Sequence, residues 1–469
     1  MTSKIYGPDT VLTLPAFEQE ALRIAEALRE RGVGPGQRVV LKAGNSVAWL
    51  GTLLGLMHAG ASIVLVDQQE TAEETDRIIR RTGAKVVLVD EDSPIDPSHD
   101  PVHLYELLVA AAGRETVERE LDVTDWGAMP DGLIMWTSGS TGQPKGVVKS
   151  GGKFLKNLER NAHQVGHVAD DVLLPLLPFS HQYGLSMVLI AWITRSSLVV
   201  APYKRLDRAL RMAGDTGATV IDATPASYRS ILNLIGRKPA LRAHFERTRM
   251  FCVGAAPLDG TLVERYVAEF GLPLLDSYGS TELGNIAFAT LENPVATGRA
   301  MEGIALRVVD EDGRPVPAGQ AGEIEVDTPD GMEGHLAEDG SLLPGPTGWQ
   351  RTGDLGHLDE HGNLFVLGRK FAVDRMGYTL YPELIERKVA AGGCSVRIVP
   401  LPDERRGSQL VFFVEDEEGR EAAYWREAVR GMLATYEQPD RVVVLDRFPL
   451  NRNGKPDKRQ LEQLAQEQR

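Results

Sequence analysis

The chain has 469 residues, 42% of them hydrophobic, which is enough for more than one core, and a formal net charge of −15. Its acidic residues run along the whole length and leave no basic stripe, which argues against nucleic acid or an anionic membrane as a partner. Only Cys252 and Cys394 are present, far apart and in apolar or glycine-rich settings, which argues against a disulfide framework or a cysteine zinc site and for a reducing compartment.

The N-terminal stretch from Met1 to Thr10 lacks the apolar core of a signal peptide, so a cytoplasmic protein is expected. Helix and strand patterns then alternate: a helix over 17–31, a strand over 38–42, a helix over 47–58 and a strand over 62–66. The apolar run from Ala48 to Val66 breaks at Gly60, so it reads as helix then buried strand rather than a membrane span. The alternation recurs as helices over 72–82, 206–216 and 262–270, followed by strands over 85–89, 219–221 and 273–275. Such a chain folds as a layered α/β domain with parallel strands. From Ile304 short strands and turns take over, at 307–309, 323–326 and 364–367, which predicts a β-rich subdomain. After Gly368 a small α+β domain follows: helix 382–391, strands 396–400 and 410–414, helix 420–435 and strand 442–445. The predicted domains are 1–368 and 369–469.

Between the apolar run 132–136 and Gly146 stands Thr137-Ser138-Gly139-Ser140-Thr141-Gly142-Gln143-Pro144-Lys145. Glycines let backbone N–H groups approach an anion, four hydroxyls add donors and Lys145 adds a charge, so the segment reads as a polyphosphate cradle. It is not a Walker A loop, because Pro144 precedes the lysine and Gly146 follows it, and the Gly-x-Gly-x-x-Gly dinucleotide fingerprint is missing here.

Four further segments have the residues of functional loops. Asp276-Ser277-Tyr278-Gly279-Ser280-Thr281-Glu282 offers an aromatic to stack a base, donors for phosphate and a carboxylate for Mg²⁺. Asp354, in Arg351-Thr352-Gly353-Asp354, suits a carboxylate accepting both ribose hydroxyls, and equally an Asx turn. Arg369 puts a fixed cation at the domain boundary. Pro449-Leu450-Asn451-Arg452-Asn453-Gly454-Lys455 is a polar turn ending in a lysine, which by itself would be a solvated tail residue.

In this order, these five segments resemble the adenylate-forming superfamily of acyl-CoA synthetases, nonribosomal peptide adenylation domains and luciferases. Pro178-Phe179-Ser180-His181-Gln182-Tyr183-Gly184, the stretch 253–258 and Thr297-Gly298-Arg299 extend the likeness over nearly the whole chain. The resemblance implies a large N-terminal domain and a small mobile C-terminal lid. It also implies a reaction in which ATP and Mg²⁺ convert a carboxylic acid to an acyl-adenylate, with CoA as the default thiol acceptor. By the same likeness Thr137, Ser138, Gly139, Ser140, Thr141, Gly142 and Lys145 hold ATP phosphates and Tyr278 stacks on adenine. Thr281 meets the α-phosphate, Glu282 ligates Mg²⁺, Asp354 and Arg369 fix the ribose, and Lys455 is the lid lysine. A carboxylate attacking a phosphate meets a repulsion of about 4 kcal/mol per close pair at intermediate dielectric, which Mg²⁺ and Lys455 would offset. The acid pocket is expected between His181 and 254–256, lined by Gly254 and Ala255, with Gly279 at its floor. No carboxylate for an α-ammonium stands in 179–183, so an aryl or medium acyl acid is favoured over an amino acid.

Two departures bear on the acceptor. After Arg369 the chain reads Lys370-Phe371-Ala372-Val373-Asp374-Arg375-Met376-Gly377, one residue short of the usual hinge, with Asp374 where a lysine of the second half-reaction is often found. Gln350 likewise replaces a frequent aromatic. An amide-forming ligase, a carrier-protein loading enzyme and an inert nucleotide binder therefore stand beside the acid–CoA ligase as alternatives.

Overall fold

The computed structural model describes residues 2–114, 120–138, 144–256, 258–369, 373–375, 378–403, 406–433, 437–451 and 454–467. The first helix starts at Leu14, three residues before the periodicity announces it. The Thr13 hydroxyl caps the Ala16 N–H at 3.3 Å, and Pro15 fits a first helical turn. The helix Val47–His58, capped by Ser46, and the strand Ser62–Val66 both lie inside the core, so the long apolar run is consumed by burial. Among the described residues no helix is long and apolar enough to cross a membrane.

The chain divides into two compact units, Met1–Ala305 with Val326–Gln350, and Leu306–Glu325 with Arg351–Arg469. The first unit holds two large sheets. One has eight strands in the order Leu342–Pro344, Gly334–Leu336, Pro144–Lys149, Leu133–Ser138, Ser62–Val66, Arg38–Lys42, Val86–Val89 and Val102–His103. Its last five strands are parallel, and its first four pair antiparallel. The other has nine strands, with a parallel centre of Leu274–Ser280, Met250–Val253, Val220–Ala223, Val172–Pro175, Ser197–Val199 and Lys4–Tyr6. The central strands read as unbroken apolar runs because helices cover them, as parallel sheets require. The main core gathers Phe17, Trp49, Leu54, Ile63 and Phe154, all nearly inaccessible to water.

In the second unit, Gln350–Leu358 and Leu364–Arg369 pair antiparallel within a four-stranded sheet, and the sequence-drawn boundary after Gly368 falls at the end of the latter strand. A three-stranded sheet of Val396–Asp403, Gly407–Glu415 and Arg441–Leu445 carries the helices Pro382–Ala391 and Ala422–Arg430 over a core around Phe412, Val389 and Trp425. The latter helix is shorter than the predicted 420–435. Arg420 is held before it, its backbone N–H at 3.1 Å and its Nε at 3.0 Å from Asp416 Oδ2.

Candidate active site

The strands Leu133–Ser138 and Pro144–Lys149 face each other with Thr137 opposite Lys145 and Ser138 opposite Pro144. The described ends of the hydroxyl-rich segment, up to Ser138 and from Pro144, thus lie on paired antiparallel strands. Lys145 is exposed. Gly139, Ser140, Thr141 and Gly142 lie outside the described residues.

The segment 276–280 is not a loop beyond a strand. It is the second half of the strand Leu274–Ser280, which pairs with Met250–Val253 up to Asp276 and then with Gly284–Phe288, with an irregularity between Tyr278 and Gly279. A Cβ on Gly279 would lie 2.7 Å from the Gly284 carbonyl oxygen, so no larger residue fits the close pairing. Thr281 and Glu282 form the turn of this second hairpin, both half-buried.

A residue that the motif reading missed ties the two hairpins together. Lys149 is fully buried at the end of its strand, and its Nζ donates to the Thr281 carbonyl at 2.8 Å. Burial pushes its ammonium down to about 8, although the charges of Glu282 and Asp330 act to raise it. Asp330 is itself buried and pairs with Arg160, while Asn157 donates to it at 3.2 Å and accepts the Asn285 N–H at 2.9 Å. Main-chain and side-chain bonds therefore hold the Thr281–Glu282 turn from both sides. Among the described residues no group of three or more His, Cys, Asp or Glu is arranged for a metal. A single carboxylate such as Glu282 is nonetheless what Mg²⁺ takes when substrate phosphates supply its other oxygens.

His181 precedes the helix Gln182–Ile193, and its Nε2 lies 3.3 Å from Asp67 Oδ2, at the end of the strand Ser62–Val66. Burial works against the Asp67 charge, but His181, the Gln69 N–H and the Ser180 hydroxyl outweigh it and hold the carboxyl at about 2. A carboxylate thus reaches the 179–183 segment from outside it. Two residues on, the Tyr183 hydroxyl donates to Asp222 Oδ1 at 2.9 Å. Gly254 is buried, and a Cβ there would contact Ser277 Oγ and stand 3.2 Å from the Tyr183 ring. The next residue, Ala255, has φ 67°, a left-handed conformation that costs a non-glycine residue about 1 kcal/mol or more.

In the second unit Asp354 and Arg369 are directly opposed on neighbouring strands, with Nε to Oδ1 at 3.0 Å. Arg369 also donates to the Thr352 carbonyl at 3.1 Å, and its backbone N–H donates to Glu383. Burial, then the like charge of Glu386, push the Glu383 carboxyl up to about 7. Lys455 closes a turn in which the Asn451 side chain accepts its N–H at 3.1 Å. Its side chain is open to solvent within a crowded neighbourhood; that crowding, then Arg369, lower its ammonium pKa, and Asp354 opposes them. Of the altered hinge, Arg375 is buried and bonds the Gln438 carbonyl and Asp440, both at 3.0 Å. The Asp374 side chain lies outside the described residues.

Lys149, Asp67 and Asp222 were not singled out from sequence. Their one linear signal is a charge inside or closing an apolar strand, as in Val147-Val148-Lys149 and Val220-Ile221-Asp222-Ala223.

A fatty acid–[acyl-carrier-protein] ligase, ScoC of Streptomyces coeruleorubidus, is 28% identical over 96% of this chain and 91% of its own. An indoleacetate–CoA ligase of Aromatoleum aromaticum is 30% identical over 94% and 91%. The crystal structure of ATP-bound MatB from Rhodopseudomonas palustris superposes with a TM-score of 0.87 at 26% identity, covering 99% of this chain and 96% of that one. The AMP-binding enzyme C-terminal domain model matches residues 395–455. With the AMP-binding enzyme model matching residues 2–336, the chain belongs to the AMP-binding, adenylate-forming enzyme family.

Proposed function

We propose that this protein uses ATP to convert a carboxylic acid to an acyl-adenylate, releasing pyrophosphate, and then passes the acyl group to a thiol, CoA by default. The observation that carries this reading is the Lys149 tie, which fixes the Thr281–Glu282 turn against the strand that leads out of the polyphosphate hairpin. In the first step a carboxylate oxygen of the acid bonds to the α-phosphorus and the bond to the leaving pyrophosphate breaks. Thr137, Ser138, Gly139, Ser140, Thr141, Gly142 and Lys145 hold the phosphates; Tyr278 stacks on adenine; Thr281 donates to the α-phosphate; Asp354 and Arg369 hold the ribose. Glu282 would hold Mg²⁺, which when bound neutralises phosphate charge. Lys455 supplies the remaining cation, and its exposure leaves it free to reach an anion. His181, with Asp67 behind it, and Gly254, Ala255 and Gly279 line the acid's path. The division into an ATP- and acid-binding part, 1–368, and a moving lid, 369–469, belongs to the same proposal, as does a cytoplasmic setting.

The second reading gives the adenylate to an amine, or to the pantetheine thiol of a carrier protein, and Asp374 at the place of a frequent lysine favours the amine. ATP–pyrophosphate exchange over aryl and aliphatic acids, followed by product analysis with CoA, carrier protein and amines, decides between them. Exchange with thioester formation is expected. Exchange with only amide product replaces the acceptor, and no exchange with any acid removes adenylation.

A further inference from the structure

Beside Tyr183 and Ser277, the two side chains that a Cβ on Gly254 would meet, lies a small, partly enclosed void with room for roughly one water molecule, mostly apolar but for a few buried polar groups. Asn161, His167, Tyr183, Asp222, Cys252 and Ser277 line it, and the first four carry the polar atoms that decide what it can hold. Asp222 is 1% exposed and Asn161 3%. Asp222 Oδ2, Asn161 Oδ1 and His167 Nδ1 have no hydrogen-bond partner among the described residues. Both nearby hydroxyls are already committed. Tyr183 donates to the other oxygen of Asp222 at 2.9 Å, and Ser277 donates to the Val253 carbonyl at 2.9 Å. What remains is two acceptors, Asn161 Oδ1 and, when ionised, Asp222 Oδ2, beside His167 Nδ1, which accepts or donates according to its tautomer; each costs about 1–3 kcal/mol while unpaired.

We propose that this void is the far end of the acid pocket and receives a hydrogen-bond donor, a hydroxyl or amino group, carried by the substrate at the end remote from its carboxylate. The inference rests on the adenylation reading above and names its substrate class. Gly254 is the point of access, since even a methyl group there would meet Tyr183 and Ser277, two of the residues that wall the void. Size limits the guest to a group comparable with water. Charge limits it further: a second carboxylate would meet Asp222 across a short gap in a low-dielectric interior. The titration behaviour agrees, because burial without a cation lifts the Asp222 carboxyl to about 7 and burial holds the His167 imidazole down at about 4, so His167 is neutral at pH 7. A donor from the substrate would return Asp222 to its charged form and satisfy it.

The test is pyrophosphate exchange with matched acids that differ only at the far end: 4-methyl-, 4-hydroxy-, 4-amino- and 4-carboxybenzoate, and hexanoate against 5-hydroxypentanoate. The wild type should favour a donor-bearing acid over its methyl counterpart by about 10²-fold or more in kcat/KM. The hydroxyl and amino arms show which donor is taken, and the dicarboxylate should be the poorest of its series. Asp222→Leu should abolish or invert the preference, and Asp222→Asn, which keeps an acceptor, should retain most of it; thermal melts of both variants check folding. Equal or better exchange with the methyl acids in the wild type would mean that the void holds only water and would overturn the proposal. So would an unchanged preference in a folded Asp222→Leu variant. No exchange with any acid is a different failure: it overturns the adenylation reading and takes this inference with it.

Discussion

Two lysines show how differently the two units use charge. Lys149, in the first unit, is fully buried, bonded to a main-chain carbonyl and surrounded by Glu282, Asp330 and Lys153, so its ammonium is part of the structure of a turn. Lys455, in the second unit, is exposed, and among the described residues its electrostatic neighbours are Arg369 and Asp354, which themselves form a cross-strand pair with the arginine 64% exposed. A buried charge must be compensated in place and so becomes rigid. An exposed one stays available to a substrate even where, as at Lys455, crowding and a neighbouring arginine disfavour its charge. Of these two lysines, the first is thus held within the structure of the Thr281–Glu282 turn, whereas the second is left accessible.

The sharpest way to break this comparison is Lys455→Ala. It should lower the rate of pyrophosphate exchange by about 10²–10³-fold, the usual worth of a charge aimed at a developing anion, while the melting temperature stays unchanged. Undiminished exchange would mean that the lysine has been misassigned, and a large loss of stability would mean that it is structural after all.

Lys149→Met should show the opposite profile. The folded-state pKa of Lys149 lies near 8, below the ordinary 10.5, so between those values the unfolded chain binds a proton that the native protein does not. The stabilising contribution is therefore fully present above the unfolded value and lost as pH falls through about 8. Stability of the wild type relative to the Lys149→Met variant should rise with pH across that window, by about 3 kcal/mol over its full width. Urea denaturation of both proteins at several pH values measures this, and parallel curves would show that Lys149 does not titrate as its burial requires.

The smallest expected effect comes from Asp354→Ala. Because the pair with Arg369 is largely exposed on the arginine side, its removal should cost under about 1 kcal/mol of stability. It should nevertheless raise the KM for ATP by about tenfold through loss of the ribose contact. An unchanged KM for ATP would move the ribose site elsewhere.

How much of this could be read without coordinates depended on whether the signal was local. The helices Val47–His58, Ala72–Thr82, Leu206–Thr216 and Pro382–Ala391 have the bounds that their periodicity announces. Each is written into its own residues by an apolar stripe, a breaking glycine or a starting proline. The strand through Tyr278 was harder, because its second half is a strand only by virtue of Gly284–Phe288 lying beside it. The Arg420 error has the same origin: a good helix former was taken by Asp416 before the helix began.

The site divides in the same way. Motif order along the chain was enough to name the family, because loop motifs carry their glycines, hydroxyls and charges in consecutive positions; the roles given to Thr137, Lys145, Thr281, Glu282, Asp354, Arg369 and Lys455 belong to the proposal. The roles of Lys149, Asp67 and Asp222 were decided by tertiary structure alone. Each is a single charged residue in or beside a buried strand, and what it does depends on the partner that folding brings: a carbonyl 132 residues away for Lys149, His181 for Asp67, and Tyr183 for Asp222. Local chemistry is legible in a linear sequence because neighbours in the chain make it, whereas the desolvation and pairing of a buried charge are properties of neighbours in space.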